Sequence, residues 1–345
     1  MVKELKRKRK AVSINDFAEM MGVSTATISR AVNNKPGLSN ELREKIRAEA
    51  VRIGYMADLG EEQEQEAKSN IVAVIASDVR NPYYADVISA IQDELRGEEY
   101  RTVIFSTGDA VDDVIDTIRT AEEIQCSGII QITAPSEKIG KTIRKCTIPT
   151  VLLNRMLKSC ETDVVTLDNY EAGYGVTKYL VERGHTSIGY LKGPAVSSSS
   201  ILRFEGYMRA MKNYKLPVPR QAVFDGDLSM EGGKRFASEF AAITEDRPTA
   251  MIISNDLAAH GFVSGCLQEG LRIPEDVSVI SFDNNRFAAA SEVPITTVDC
   301  FANEMGRKAA QVMLQRIHDP EKRKQRIVMK PVLIERSSVK NLNVS

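Results

Sequence analysis

The chain has 345 residues, 43% of them apolar, and its 46 Lys and Arg nearly balance its 47 Asp and Glu, enough for two or three domains with a substantial core. No run approaches the eighteen or so apolar residues of a membrane span, and the basic start MVKELKRKRKAVS lacks the apolar segment of an export signal, so the sequence predicts a cytoplasmic protein without a membrane partner. Five scattered cysteines without a CxxC pair, and three distant histidines without a second ligand at i+3 or i+4, argue against a disulfide framework, a metal site or a cofactor held by either.

Charge is unevenly placed. From Met1 to Tyr55 there are twelve Lys and Arg against six Asp and Glu, which leaves the first part at +6 and the remainder at −7. A basic head on an acidic body suggests a nucleic-acid-binding module joined to something else. Within the head, Ser13 with Asp16 three residues later marks a helix start, and Ile14, Phe17, Ala18 and Met21 share one face. Gly22 breaks that helix. Ser24 caps the next, in which Ile28, Ala31 and Val32 point inward while Thr25, Ala26, Ser29, Arg30 and Asn33 lie on the opposite face. Ser39 caps a third helix whose Leu42, Ile46, Ala50 and Ile53 close a small core before Gly54. Two short helices about a glycine turn with a third behind them make a helix-turn-helix, whose second helix fits the major groove.

The stretches INDFAEMMGVSTATISRAVNN and LREKIRAEAVRIGY resemble the DNA-binding headpiece of the LacI/GalR transcription regulators. That resemblance implies operator DNA as a partner, with Thr25, Ala26 and Arg30 addressing base edges, Arg30 bidentate to guanine, and Ser24, Ser29 and Asn33 nearer the phosphates. In relatives, the segment after this headpiece forms a hinge helix that wedges a leucine into the minor groove. Here the segment reads MADLGEEQEQEAKSN, with Glu64 at the wedge position, Glu61 and Glu62 where small or basic residues are usual, and Gly60 at an apolar position. Carboxylates there face the phosphate potential, and Glu62 and Glu66 are like charges one helical turn apart, so residues 56–70 read as a solvated acidic linker. The arm KELKRKRK, with six basic residues between Lys3 and Lys10, is the expected compensation.

From Ile71 short apolar runs (IVAVIA, RTVIFS, GIIQI, TVLLN, IGYLKG, AMIIS, VSVISF) alternate with helical segments, the pattern of parallel sheets covered on both faces. The runs NPYYADVISAI, LDNYEAG, RGHTSIGYLKGP, RFEGY, SNDLAAHG and GLRIPEDVSVISFDN are similar to the effector-binding core of the same family. The expected fold is therefore α/β: a three-helix headpiece over 1–55, the linker 56–70, and a two-lobed periplasmic-binding-protein-like core over 71–341. The resemblance implies three crossings between the lobes, with an N-lobe of 71–168 and 297–325 and a C-lobe of 169–296 and 326–341. An enzyme is not expected, because GYGVTKY lacks the third glycine of a dinucleotide fingerprint, no GxxxxGK[ST] or GxSxG occurs, and Ser197–Ser200 reads as a flexible loop.

Ligands of such folds sit at the C-terminal strand ends. Tyr83 and Tyr84 follow the first strand, Asn154 and Arg155 follow TVLL, Arg203 lies in ILRFEGY, Asn255 and Asp256 follow AMIIS, and Asp283 follows VSVISF. In the family, the positions of Arg203 and Asp283 touch effector. Leu228 stands where many relatives carry an aromatic ring, which weakens stacking on that side and, with the nearby arginines, favours a sugar or sugar acid over a purine. The expectation is a homodimeric transcription regulator, a repressor, controlled by a small-molecule effector. The alternative is a cytoplasmic ligand-sensing protein whose acidic linker has weakened or abolished DNA binding.

Overall fold

The computed structural model describes residues 12–32, 35, 37–53, 55, 69–108, 110–133, 136–157, 161–218 and 222–344. The chain divides into two units, Met1–Lys68 and Ser69–Ser345. The basic arm Lys3–Lys10, Asn33 and the acidic stretch Gly60–Glu66 lie outside the described residues.

The first unit holds α1 (Ile14–Met21), α2 (Thr25–Val32) and α3 (Asn40–Arg52). Ser13 and Asp16 form a reciprocal capping box, and Gly22 ends α1 with φ 62°, a left-handed conformation that glycine adopts without a Cβ clash. The Ser39 side chain accepts from Leu42 N to start α3. Phe17, Ala18, Ile28, Ala31, Ile46 and Ala50 are buried together, and the Phe17 ring lies 4.9 Å from that of Tyr55. Ile14, expected in this core, is instead 37% exposed, because it occupies the first turn at the edge of a very small cluster.

The second unit contains two six-stranded sheets. In chain order its elements are β1 (Ile71–Ala76), α4 (Pro82–Gly97), β2 (Arg101–Ser106), α5 (Val111–Glu123), β3 (Gly128–Gln131), α6 (Glu137–Lys145), β4 (Thr150–Leu153), β5 (Asp163–Leu167), α7 (Asn169–Glu182), β6 (Ile188–Lys192), α8 (Ser198–Asn213), β7 (Val223–Asp225), α9 (Met230–Ala241), β8 (Ala250–Ile253), α10 (Asp256–Gln268), β9 (Ser278–Asp283), α11 (Arg286–Ala290), β10 (Thr296–Asp299), α12 (Ala302–His318), β11 (Arg326–Met329) and β12 (Val332–Ile334). The first sheet runs β11-β5-β4-β3-β1-β2 and the second β12-β10-β9-β8-β6-β7. All pairings are parallel except β10 with β12. Alternate residues of a strand enter different apolar clusters: Val72 and Val74 face one, Ala73 and Ile75 another. Both faces are thus buried, which is why the strands read as unbroken apolar runs.

The chain crosses between the lobes three times, but two of the expected boundaries move. Arg326–Met329 pairs with Asp163–Leu167 and completes the first sheet, so 326–329 belongs to the N-lobe rather than the C-lobe. Thr296–Asp299 pairs with Ser278–Asp283 in the second sheet, so 297–299 belongs to the C-lobe. Ser197–Ser200 is also not a flexible loop. Ser197 caps α8 by accepting from Ser200 N, and Ser199 and Ser200 are buried in its first turn.

Candidate functional site

On the first unit, Ser24, Thr25, Ala26 and Arg30 are exposed and Ser29 is half-buried, all on the side of α2 away from Ile28 and Ala31. Ser24 Oγ accepts from Thr27 N at 3.1 Å and shares a hydrogen bond with Thr27 Oγ1, so it caps α2. Thr25, Ala26 and Arg30 then form a short polar surface with one cation, sized for the edges of a few base pairs.

On the second unit a chain of side chains bridges the lobes. Asn81 caps α4 by accepting from Tyr83 N, which sets Tyr83 and Tyr84 at the strand end with ring centroids 5.6 Å apart. Asn154 Nδ2 donates to the Tyr83 hydroxyl at 3.2 Å, and Asn154 Oδ1 accepts from Asn169 Nδ2 at 3.2 Å. Asn169 Oδ1 accepts from Arg203 Nε at 2.9 Å. The Arg203 guanidinium also donates to Ser254 O and to Cys300 Sγ, lies 4.5 Å from the Phe282 ring centre, and pairs with Asp283 at 3.8 Å. From the first lobe, Arg155 reaches across to Ser199 Oγ at 3.2 Å and donates to the Tyr84 hydroxyl at 2.9 Å. Tyr83, Tyr84, Asn154, Arg155, Arg203 and Asp283 are therefore brought together.

Two other residues expected to face ligand have side chains committed to the scaffold. Asn255 caps α10 through Ala258 N and donates to Leu228 O at 3.0 Å. The Asp256 carboxylate accepts from the hydroxyls of Ser281 and Thr297 and from Asn285 N, tying three elements of the C-lobe. Leu228 is half-buried and lines a cavity of about 480 Å³ at the cleft mouth, with Arg80, Pro82 and Tyr84 opposite and Arg286 beside it. A second cavity of about 300 Å³, lined by Tyr83, Asp86, Asp283, Asn285 and Arg307, lies against the same network. Asn154, Leu228 and Asp283 have φ of 52°, 63° and 115°, strained backbone for residues other than glycine and of the kind that clusters at functional sites. Sequence reasoning missed Asn169, Ser199 and Cys300. Asn169 follows the N-cap Asp168, and the Ser197-to-Ser200 spacing is a capping signal; nothing marks Cys300.

Burial pushes the Asp283 carboxyl up to about 7, against the pull of Arg203, and the nearby Asp256 adds to the rise. Burial likewise lifts Asp256 to about 6, opposed by its hydrogen bonds from Ser281, Thr297 and Asn285. Both folded values lie above the ordinary carboxylate value of 3.8. At these two carboxyls the folded state holds more protons than the unfolded one between pH 4 and 7, so their contribution to stability falls as pH rises through that window. Asp283→Asn should therefore flatten the pH dependence of thermal unfolding between pH 5 and 8, while the loss of the carboxylate paired with Arg203 opposes any gain from removing the buried charge. Parallel wild-type and variant melts across pH 5–8 measure it; identical slopes would place the dependence elsewhere.

A helix-turn-helix unit followed by two α/β lobes around a polar cleft defines a DNA-binding regulator with a ligand-binding core. Residues 13–58 match bacterial regulatory proteins, lacI family, and residues 177–339 match the periplasmic binding protein-like domain. The HTH-type transcriptional repressors PurR of Vibrio atlanticus and Vibrio parahaemolyticus are 29% and 28% identical over 96% of this chain and 99% of their own lengths. The lac repressor dimer bound to operator and the anti-inducer ONPF superposes with a TM-score of 0.75 at 23% identity, over 96% of this chain and 100% of that one. The chain thus joins a lacI-family DNA-binding domain to a periplasmic-binding-protein-like domain, as its LacI-family relatives do. Among the described residues no helix is long and apolar enough to cross a membrane.

Proposed function

We propose that this regulator is a cytoplasmic homodimeric repressor whose operator affinity is set by a sugar or sugar acid in the cleft. The observation that carries the reading is the continuous polar network from Tyr83 to Asp283, which links groups of both lobes where a hydroxylated ligand would need paired donors and acceptors. A ligand held on both sides favours one lobe arrangement over the other, and that change is the means of altering the spacing of paired headpieces. The PurR relatives support the repressor sense and bring purines into the ligand panel beside sugars and sugar acids.

The test titrates the full chain with selected operator DNA, with and without each ligand, alongside sedimentation to establish the dimer. Arg30→Ala should lose roughly 1–3 kcal/mol at the selected site and relax preference at one base position. Equal weakening on every sequence would make Arg30 a phosphate contact. A wild type that binds ligand but no DNA sequence selectively would favour the alternative, a ligand-sensing protein without DNA function. Selective DNA binding that no ligand alters would remove the effector role.

A further inference from the structure

We infer that the effector carries a negatively charged group, a carboxylate or a phosphate, that pairs with Arg155. This deepens the reading of the cleft as the effector site and rests on it.

Arg155 and Arg203 are each only 5% exposed, and a guanidinium stays charged in a protein at any ordinary pH. One carboxylate serves them: Asp283, paired with Arg203 at 3.8 Å. Asp256, the other acid nearby, is occupied by the Ser281 and Thr297 hydroxyls and Asn285 N. Arg155 makes no ion pair among the described residues. Its Nη1 donates to Asn154 O and Ser199 Oγ, and its Nη2 to the Tyr84 hydroxyl, all neutral acceptors. Its Nε is buried and donates to nothing.

Among the described residues, Arg155 is thus a buried cation without an ion pair whose Nε is also a buried donor without an acceptor. A buried cation without a counter-charge and a buried donor without an acceptor are both costly, so native sites seldom keep either without a use. A neutral polyol would satisfy the donor and leave the charge. An anionic oxygen satisfies both, and the Tyr84 hydroxyl beside it, which accepts from Arg155, retains its own proton to donate. The remaining neutral groups, Asn154 and Asn169, suit hydroxyls on the rest of the molecule.

The experiment uses the full chain and Arg155→Met, which keeps the length of the side chain and removes its charge. Thermal unfolding is followed in chloride, sulfate and phosphate at constant ionic strength, and calorimetry compares glucose, gluconate and glucose 6-phosphate, which separate a neutral frame from its carboxylate and phosphate forms. An anion should raise the wild-type midpoint in a saturable way, and an acidic ligand should bind at least tenfold more tightly than glucose. Arg155→Met should lose both effects and unfold in chloride no earlier than wild type, its uncompensated charge being gone. Comparing the two proteins cancels anion binding by the basic headpiece.

A second readout needs only wild type. The groups facing Asp283 are Arg203, Asp256, Cys300, Arg155 and Tyr83. A bound anion raises the proton affinity of Asp283, so binding should tighten as pH falls from 8 to 6, whereas a neutral ligand held by an ionised carboxylate would weaken. Glucose binding as tightly as gluconate with the opposite pH trend, or Arg155→Met melting early with no anion response in wild type, overturns the inference. Anion binding that depends on Arg155 but leaves operator affinity unchanged sustains it and defeats the regulatory reading instead.

Discussion

Arg203→Ala should abolish the response of operator binding to ligand and lower the stability of the core by about 3–5 kcal/mol, the cost of leaving one member of a buried ion pair without the other. The size follows from what the side chain holds. Its removal leaves Asp283 in a site 8% exposed without its nearest cation, and it frees Asn169 Oδ1 and Ser254 O, both buried. Chemical denaturation gives the stability, and operator titration with and without ligand gives the response. The pH profile separates the electrostatic part from simple loss of packing. Without the cation the Asp283 carboxyl rises further, so the penalty should grow between pH 6 and 8 and shrink towards pH 5. A loss of stability that is the same at every pH would mean that Arg203 acts through contact area alone, and an unaltered ligand response would take it out of the site.

Gly173→Val should be comparably damaging although Gly173 touches no ligand group. A Cβ at this position would sit 1.9 Å from Arg203 O, and one at Gly206 would sit 2.2 Å from Tyr170 O. α7 and α8 therefore approach backbone to backbone, and this contact sets Arg203 against Asn169 at 2.9 Å. Any larger residue forces the helices apart. Overpacking of this kind costs about 1–3 kcal/mol, with the upper end expected where the obstacle is main chain and cannot rotate away. Ligand affinity should fall with stability, because the shift passes directly to the guanidinium. A Gly173→Ala variant with wild-type affinity and unfolding midpoint would show that the helices have room to move.

Much of this architecture is legible in the residues before any coordinates. Helix caps such as Ser13, Ser24 and Ser39, and runs such as IVAVIA, carry local signals of one kind each, and these place the headpiece helices and most strands. The lobe boundaries failed for a physical reason. Membership of a sheet is decided by pairing partners far away in sequence, and the edge strand Arg326–Met329, with only alternate residues half-buried, has no apolar run to announce it. Within the cleft, Tyr83, Arg155 and Asp283 are legible because residues after apolar strands mark strand ends, whereas Arg203, inside α8, is reached only through the family resemblance. Asn255 and Asp256 satisfy the same rule yet serve as scaffold, since a strand end also begins a helix, and a capping side chain has the same composition as a ligand-binding one. Cys300 lies between β10 and α12 and is visible only once the chain has been seen to cross there.

The order in which strands enter the two sheets has a consequence for synthesis. The two edge strands β11 and β12 are consecutive, separated by Lys330 and Pro331, and one closes each sheet. Asp163 of β5 waits for Arg316 and for Gln325 N, and the ring of His185 and the strand Ser278–Asp283 wait for Lys340 and Ser338. Neither lobe can finish alone while the chain emerges from the ribosome. Both remain open at an edge until the same short stretch arrives, and then both close nearly together, so loss of that stretch would damage the two halves at once rather than spare the one made first.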